Sequence, residues 1–204
     1  CVSASLVVNF LKKVSVNNEY YIPDRIKDGY GASKDLLIKL INEKKPGLIF
    51  FLDNGSNSKD AIDYLKDIKI ESIIIDHHNI NRPYPKSNAL INPKKGLIYK
   101  EYDYLCSAFL TYLFIDVYIR KNNLKVSQKE NLIYVLLAVV ADVMPLRGIN
   151  RFLGKNILES FNINNDQIIS YLFELNKIKK KLELDDLGFF LAPIFNSAGR
   201  IDDA

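Results

Sequence analysis

Two apolar runs of this chain end on an aspartate: Phe51-Leu52-Asp53-Asn54-Gly55 and Ile74-Ile75-Asp76-His77-His78. Carboxylate and imidazole groups with no cysteine among them suit a hard or borderline divalent ion, such as Mn2+ or Mg2+, better than a structural zinc. His77 and His78 are the only histidines in the sequence. Both follow a run with the composition of a buried strand, which sets them apart from a pair of solvent-exposed loop histidines. For Asp53-Asn54-Gly55 an ordinary tight turn is an equally good reading, because Asp, Asn and Gly favour turns for backbone reasons alone. A third carboxylate, Asp142, interrupts the apolar stretch that includes Leu136-Leu137-Ala138-Val139-Val140-Ala141. A buried, unpaired carboxylate is costly, so a metal ion or a salt bridge to Arg147 or Arg151 must compensate it. Asn196-Ser197-Ala198-Gly199-Arg200 combines small residues with a guanidinium suited to bidentate phosphate binding, or is a surface turn. Tyr21-Ile22-Pro23-Asp24-Arg25 reads as a strand end that delivers Arg25 to the same edge, with Asp28-Gly29-Tyr30-Gly31 continuing it.

These residues need a scaffold that gathers them. Apolar spacing predicts alternating elements in the first half: helix 3–13, strand 19–22, helix 33–43, strand 47–52, helix 58–66, strand 71–75 and a short strand 89–91. Such alternation implies an α/β fold, a parallel sheet flanked by helices, and continuous apolar strands fit a sheet covered on both faces. Ligands bind beyond the carboxyl ends of strands in open sheets of this kind, which places Asp53, Asp76, His77 and His78 together. From residue 107 onward a helical segment follows, with helices over 107–121, 127–141, 149–160 and 165–179. Residues 94–103 connect the two parts. Residues 187–195 read as helix or strand, and 196–200 as a loop. The organisation expected is an α/β part over 1–105 and a helical continuation of the same core over 106–204.

Length and composition are those of a globular protein: 48% hydrophobic and 25% charged residues supply a sizeable core and argue against disorder. A formal charge of +4 is compatible with phosphate polymers without requiring them. Cys1 and Cys106 are far apart with no CxxC pairing, which suggests neither a disulfide framework nor a zinc site and fits a reduced, cytoplasmic setting. The most apolar run, 132–143, is broken by Asp142 and falls short of the roughly 20 residues a membrane span needs. Both ends of the sequence read as lying within structured or functional segments, so the chain is expected to be a fragment.

The triplet Asp76-His77-His78, preceded by Asp53-Asn54-Gly55, resembles the signature of the DHH phosphoesterase superfamily. The stretches Tyr21 to Arg25 with Gly29-Tyr30-Gly31, Ala141-Asp142-Val143-Met144-Pro145-Leu146 with Asn150-Arg151, and Ala192-Pro193 with Asn196 onward are similar, in the same order, to motifs of its single-stranded-DNA-specific exonucleases. The resemblance implies metal-dependent phosphodiester hydrolysis, digesting single-stranded DNA from 5′ to 3′ in repair and recombination, with two Mn2+ or Mg2+ ions. It implies Asp53, His77 and Asp142 as metal ligands and Asp76 as the partner that orients a histidine. His78 would face the scissile phosphate, Arg200 and Asn196 would hold phosphate oxygens, and Arg25 would grip the terminal 5′ phosphate. Single-stranded DNA is the implied partner; a single-strand-binding protein or a helicase is open. The family's Asp-x-Asp-Gly motif does not occur in the sequence, so the site is expected to be incomplete and the chain inactive by itself. Two alternatives stand beside this reading: a family member that cleaves short oligonucleotides or small nucleotides, and a non-catalytic scaffold.

Overall fold

A computed structural model describes the backbone of residues 1–24, 28, 29 and 31–201, and side chains throughout these except at 98, 99 and 198–201. Helix α1 (Val2–Lys13) buries Ser3, Leu6 and Val7. Helix α2 (Lys34–Lys44) starts where Ser33 Oγ accepts a hydrogen bond from Leu36 N, so Ser33 caps the helix rather than opening it. Strand β1 (Leu48–Leu52), helix α3 (Lys59–Asp67), strand β2 (Glu71–Ile75) and strand β3 (Ala89–Ile91) follow. The three strands lie in the order β1-β2-β3, all parallel, with Leu52 opposite Ile75 and Ile75 opposite Ile91.

Both faces of the sheet are covered, which is why its strands have no polar side. Phe51 and Ile74 face Leu37 of α2 and Ala61, Ile62 and Leu65 of α3. Phe50, Leu52, Ile73 and Ile75 face the larger core, built with α1 and the helices of the second half. Those helices are α4 (Ser107–Lys121), α5 (Leu132–Ala141), α6 (Gly148–Ser160), α7 (Gln167–Leu175) and α8 (Ala192–Ile201). Helix α5 buries Ile133, Val135, Leu136, Leu137 and Val139, several sides of its barrel at once, as expected of a helix at the centre of a bundle. The fold is α/β, a three-stranded parallel sheet with helices on both faces running on into a helical segment.

Four local expectations change. Residues 19–22 form no strand: Tyr20, Tyr21 and Ile22 are exposed, and without a neighbouring strand among the described residues their β-propensity has no ladder to join. The helix expected over 127–141 opens instead as a 3-10 turn, Lys129–Asn131, before α5. Helix α7 is shorter than 165–179 because Asp166 caps it, accepting from Ile168 N and Ile169 N, and Lys177 ends it at a φ of 54°. Residues 187–195 are helical, a π-helical turn over Asp186–Leu191 running into α8, so 196–200 is helix rather than loop. Pro193 lies at the junction of the π-helical turn and α8, where it brings no backbone N–H to the helical ladder.

Candidate metal centre

The ladder of the sheet runs one step past its strands: Asp53 N donates to Ile75 O (3.0 Å) and Asp76 N to Ile91 O (3.0 Å). The two aspartates are therefore delivered side by side at the carboxyl edge. Beyond Leu52 the chain turns sharply. Asp53 takes a φ of 64°, Asn54 Nδ2 donates to Leu52 O, and Gly55 takes a φ of 99° with no room for a Cβ, which would stand 2.9 Å from Phe51 Cβ. The turn reading of Asp53-Asn54-Gly55 holds, and that turn is what presents the Asp53 carboxylate at the edge of the sheet.

Asp76 is 1% exposed, and its two oxygens are fully used. Oδ1 accepts from His77 N (2.8 Å), His78 N (3.2 Å) and His78 Nδ1 (2.7 Å), and Oδ2 accepts from Ser56 N (3.1 Å). Burial pushes its carboxyl upward, but the bonds from Ser56 and His78 outweigh that and hold it below the ordinary carboxylate value. Asn92 completes the frame, donating to Ser56 Oγ (2.8 Å) and to His78 O (2.9 Å).

His77 points the other way. Its Nε2 lies 3.4 Å from Asp53 Oδ1 and 4.0 Å from Asp142 Oδ2, electrostatic contacts rather than well-formed hydrogen bonds. Asp142 arrives at the C-terminus of α5, whose last turn carries no basic residue. Burial alone would lower the His77 imidazole, yet Asp53 and Asp142 raise it above its usual value. Asp53 is held below the usual carboxylate range because His77 and Ser107 more than offset its burial. Asp142 is raised, first by burial and then by repulsion from Asp53. The arrangement is short of positive charge, and the α5 dipole adds to the deficit.

One donor atom each from Asp53, His77 and His78 lie within 4.8 Å of one another. Asp53 Oδ1 and His77 Nδ1 are buried with no hydrogen-bond partner among the described residues. An orphaned carboxylate oxygen, an oxygen and nitrogen donor set and uncompensated negative charge fit a divalent cation. The His77 ring is 12% exposed while the carboxylates of Asp53 and Asp142 are 41% and 39% exposed, so the centre is floored by protein and open above.

A family model for the DHH family, N-terminal domain, matches residues 1–141. The chain belongs to the DHH family. It is similar to the single-stranded-DNA-specific exonuclease RecJ of Escherichia coli (strain K12), with 29% identity over 218 residues, 98% of this chain and 37% of that protein. RecJ of Bacillus subtilis (strain 168) is 28% identical over 99% of this chain and 25% of its own length. The chain thus spans well under half the length of these relatives. Its fold matches that of exonuclease RecJ bound to manganese (TM-score 0.81, 23% identity, 98% of this chain and 50% of that one). It likewise matches RecJ in complex with Mn2+ from Thermus thermophilus (TM-score 0.79, 20% identity, 98% and 28%).

Within this DHH-family chain the Asp-His-His triplet divides its work: Asp76 braces the backbone of both histidines and the ring of His78, while His77 faces the two carboxylates. Of the expected site residues, Asp53, Asp76, His77, His78 and Asp142 come together. Neither Arg147 nor Arg151 pairs with Asp142; Arg147 bonds Asp103 instead (3.0 Å). Asn196 is exposed on α8. Arg25 and the side chain of Arg200 lie outside the described residues. Sequence reasoning missed Ser56, Asn92 and Ser107. They are common polar residues, and only their complete burial distinguishes them.

Proposed function

We propose that this chain is the metal-binding catalytic core of a phosphodiesterase that digests single-stranded DNA from its 5′ end, serving DNA repair and recombination in the cytoplasm. The observation that carries the reading is the convergence of Asp53, His77 and Asp142 from three separate elements, with buried donor atoms left unpartnered. Membership of the DHH family and likeness to RecJ along 98% of the chain support the substrate class. In this reading 1–105 and 106–204 are two parts of one core, because Asp142 lies in the second and its partners in the first.

Asp53, His77 and Asp142 hold the ions, Mn2+ or Mg2+. When bound, they polarise the phosphoryl oxygens and lower the pKa of water. Asp76 accepts the Nδ1 proton of His78 and so fixes the ring's orientation, presenting its other edge to the scissile phosphate. Arg25, Arg200 and Asn196 are the proposed grips on the strand, Arg25 on its 5′ phosphate. No Asp-x-Asp-Gly stretch occurs in the 204 residues, so the chain by itself holds its ions weakly and is inactive.

The test follows release of label from 5′-labelled and 3′-labelled DNA, single-stranded and duplex, with Mn2+, in the protein that carries this chain and in its His78→Ala variant. Prompt release of the 5′ label from single strands alone, abolished by the substitution, is expected. Activity confined to short oligonucleotides or small nucleotides would move the protein to another branch of the family, and none with any divalent ion would make it a scaffold. Robust Mn2+-dependent cleavage by the isolated 204 residues would overturn the claim that they are inactive.

A further inference from the structure

Asp142 sits on a turn that local forces alone do not hold. Helix α5 closes with Val143 N donating to Val140 O and Met144 N to Val139 O, a closure that places Val143 in the left-handed region at a φ of 53°. Glycine ordinarily takes that position, since a β-branched side chain there is strained. Val143 recovers nothing by packing, being 88% exposed. Strain of this kind persists only where the surroundings over-determine the conformation.

The surroundings that do so converge on one residue. Asn150, 0% exposed, donates both to Tyr104 O (2.9 Å) and to Pro145 O (3.0 Å), tying the link after Asp142 to residue 104. The Tyr104 hydroxyl accepts from Ile149 N (3.3 Å). Gly148 lies against that hydroxyl at a φ of 47°, and a Cβ there would meet the oxygen at 2.4 Å. Arg147 bonds Asp103 (3.0 Å) and its guanidinium lies 4.9 Å from the centre of the Tyr104 ring. Packing does not explain Asn150, whose buried Oδ1 finds no donor among the described residues. At its other end the segment leading to Tyr104 begins at Asn92, which holds His78 O.

We propose that Tyr104, with Asn150, is a positioning residue that sets Asp142 against His77. The segment from Asn92 to Tyr104 acts as a strap between the two metal-bearing loops, one end on the histidine pair and the other on the turn of Asp142. This deepens the proposed function and rests on its metal site.

The test uses the protein that carries this chain and three variants of it: Tyr104→Phe, Gly148→Ala and the pair together. Two readouts are taken: Mn2+ affinity from the electron paramagnetic resonance signal of unbound Mn2+, and amide hydrogen exchange at residues 142–144. Tyr104→Phe deletes one oxygen and leaves the ring, so it carries the test even if Gly148→Ala does not fold. Mn2+ affinity is expected to fall about tenfold, the low end for groups that orient ligands, with exchange at 142–144 faster than the change in urea midpoint accounts for. The double variant should recover part of the Gly148→Ala loss, because removing the hydroxyl leaves the new Cβ facing a ring carbon 3.2 Å away instead of the oxygen. Mn2+ affinity and exchange both unchanged in Tyr104→Phe would overturn the proposal. No Mn2+ bound by the unaltered protein, together with faster exchange in Tyr104→Phe, would refute the metal-site reading while upholding the strap as what orders Asp142.

Discussion

Replacing Asp76 by asparagine isolates what its second oxygen does. The carboxylate accepts three hydrogen bonds at Oδ1 and one from Ser56 N at Oδ2, and the Ser56 hydroxyl bonds it as well. An asparagine amide has one oxygen. Turned to keep the three bonds from His77 and His78, it sets its NH2 against Ser56 N at the present separation of 3.1 Å, donor against donor, where both residues are almost fully buried. An unsatisfied buried N–H costs about 1–3 kcal/mol, and the loss of charge assistance weakens the remaining bonds by about 1 kcal/mol or more in sum. Relief from burying a charge offsets part of this. The net destabilisation of Asp76→Asn is thus about 2–4 kcal/mol, which for a chain of this size lowers the melting temperature by roughly 5–15 °C. Urea denaturation followed by circular dichroism measures it directly. A variant within about 0.5 kcal/mol of the parent, the spread of unremarkable surface substitutions, would refute the claim that both oxygens of Asp76 are structurally committed.

Three further outcomes are expected. Asp53 and Asp142 raise the His77 imidazole, and a ligand must shed its proton to bind metal, so Mn2+ affinity should fall as pH drops through that raised value; calorimetry showing flat affinity between about pH 6 and 8 would contradict His77 as a ligand. Cys106 is fully buried and its thiol is pushed up to about 12, chiefly by burial, while Cys1 is exposed. A disulfide reagent should therefore modify one thiol quickly in the native chain and the second only after denaturation. The same shift favours the fold below the ordinary thiol value and is lost as pH rises toward 12. Gly55→Ala forces a Cβ to 2.9 Å from Phe51 Cβ at a φ of 99° and should cost at least about 1–3 kcal/mol in urea midpoint measurements; an unchanged midpoint would show that the turn can relax.

Several elements could be read without coordinates because their signals are local. The runs Leu48 to Leu52 and Glu71 to Ile75 are apolar enough to require cover on both faces, and each ends on an aspartate, so a parallel sheet with Asp53 and Asp76 at one edge followed from the sequence. Partner choice is not local. Whether Asp142 would meet an arginine or the histidine depended on where α5 ends relative to the sheet, and the fold sends Arg147 to Asp103 and Asp142 to His77. Residues 19–22 have strand composition, but a strand exists only with a neighbour to pair with, and residues 196–200 have loop composition inside a helix that tertiary packing extends. The sequence by itself determined which carboxylates and imidazoles follow the strands and which edge of the sheet receives them, since residue type and period are properties of short segments. The tertiary structure alone decided their distances, the burial that changes their proton affinities and the bracing of Asp142 by Tyr104 and Asn150, since these depend on contacts between segments far apart in the chain.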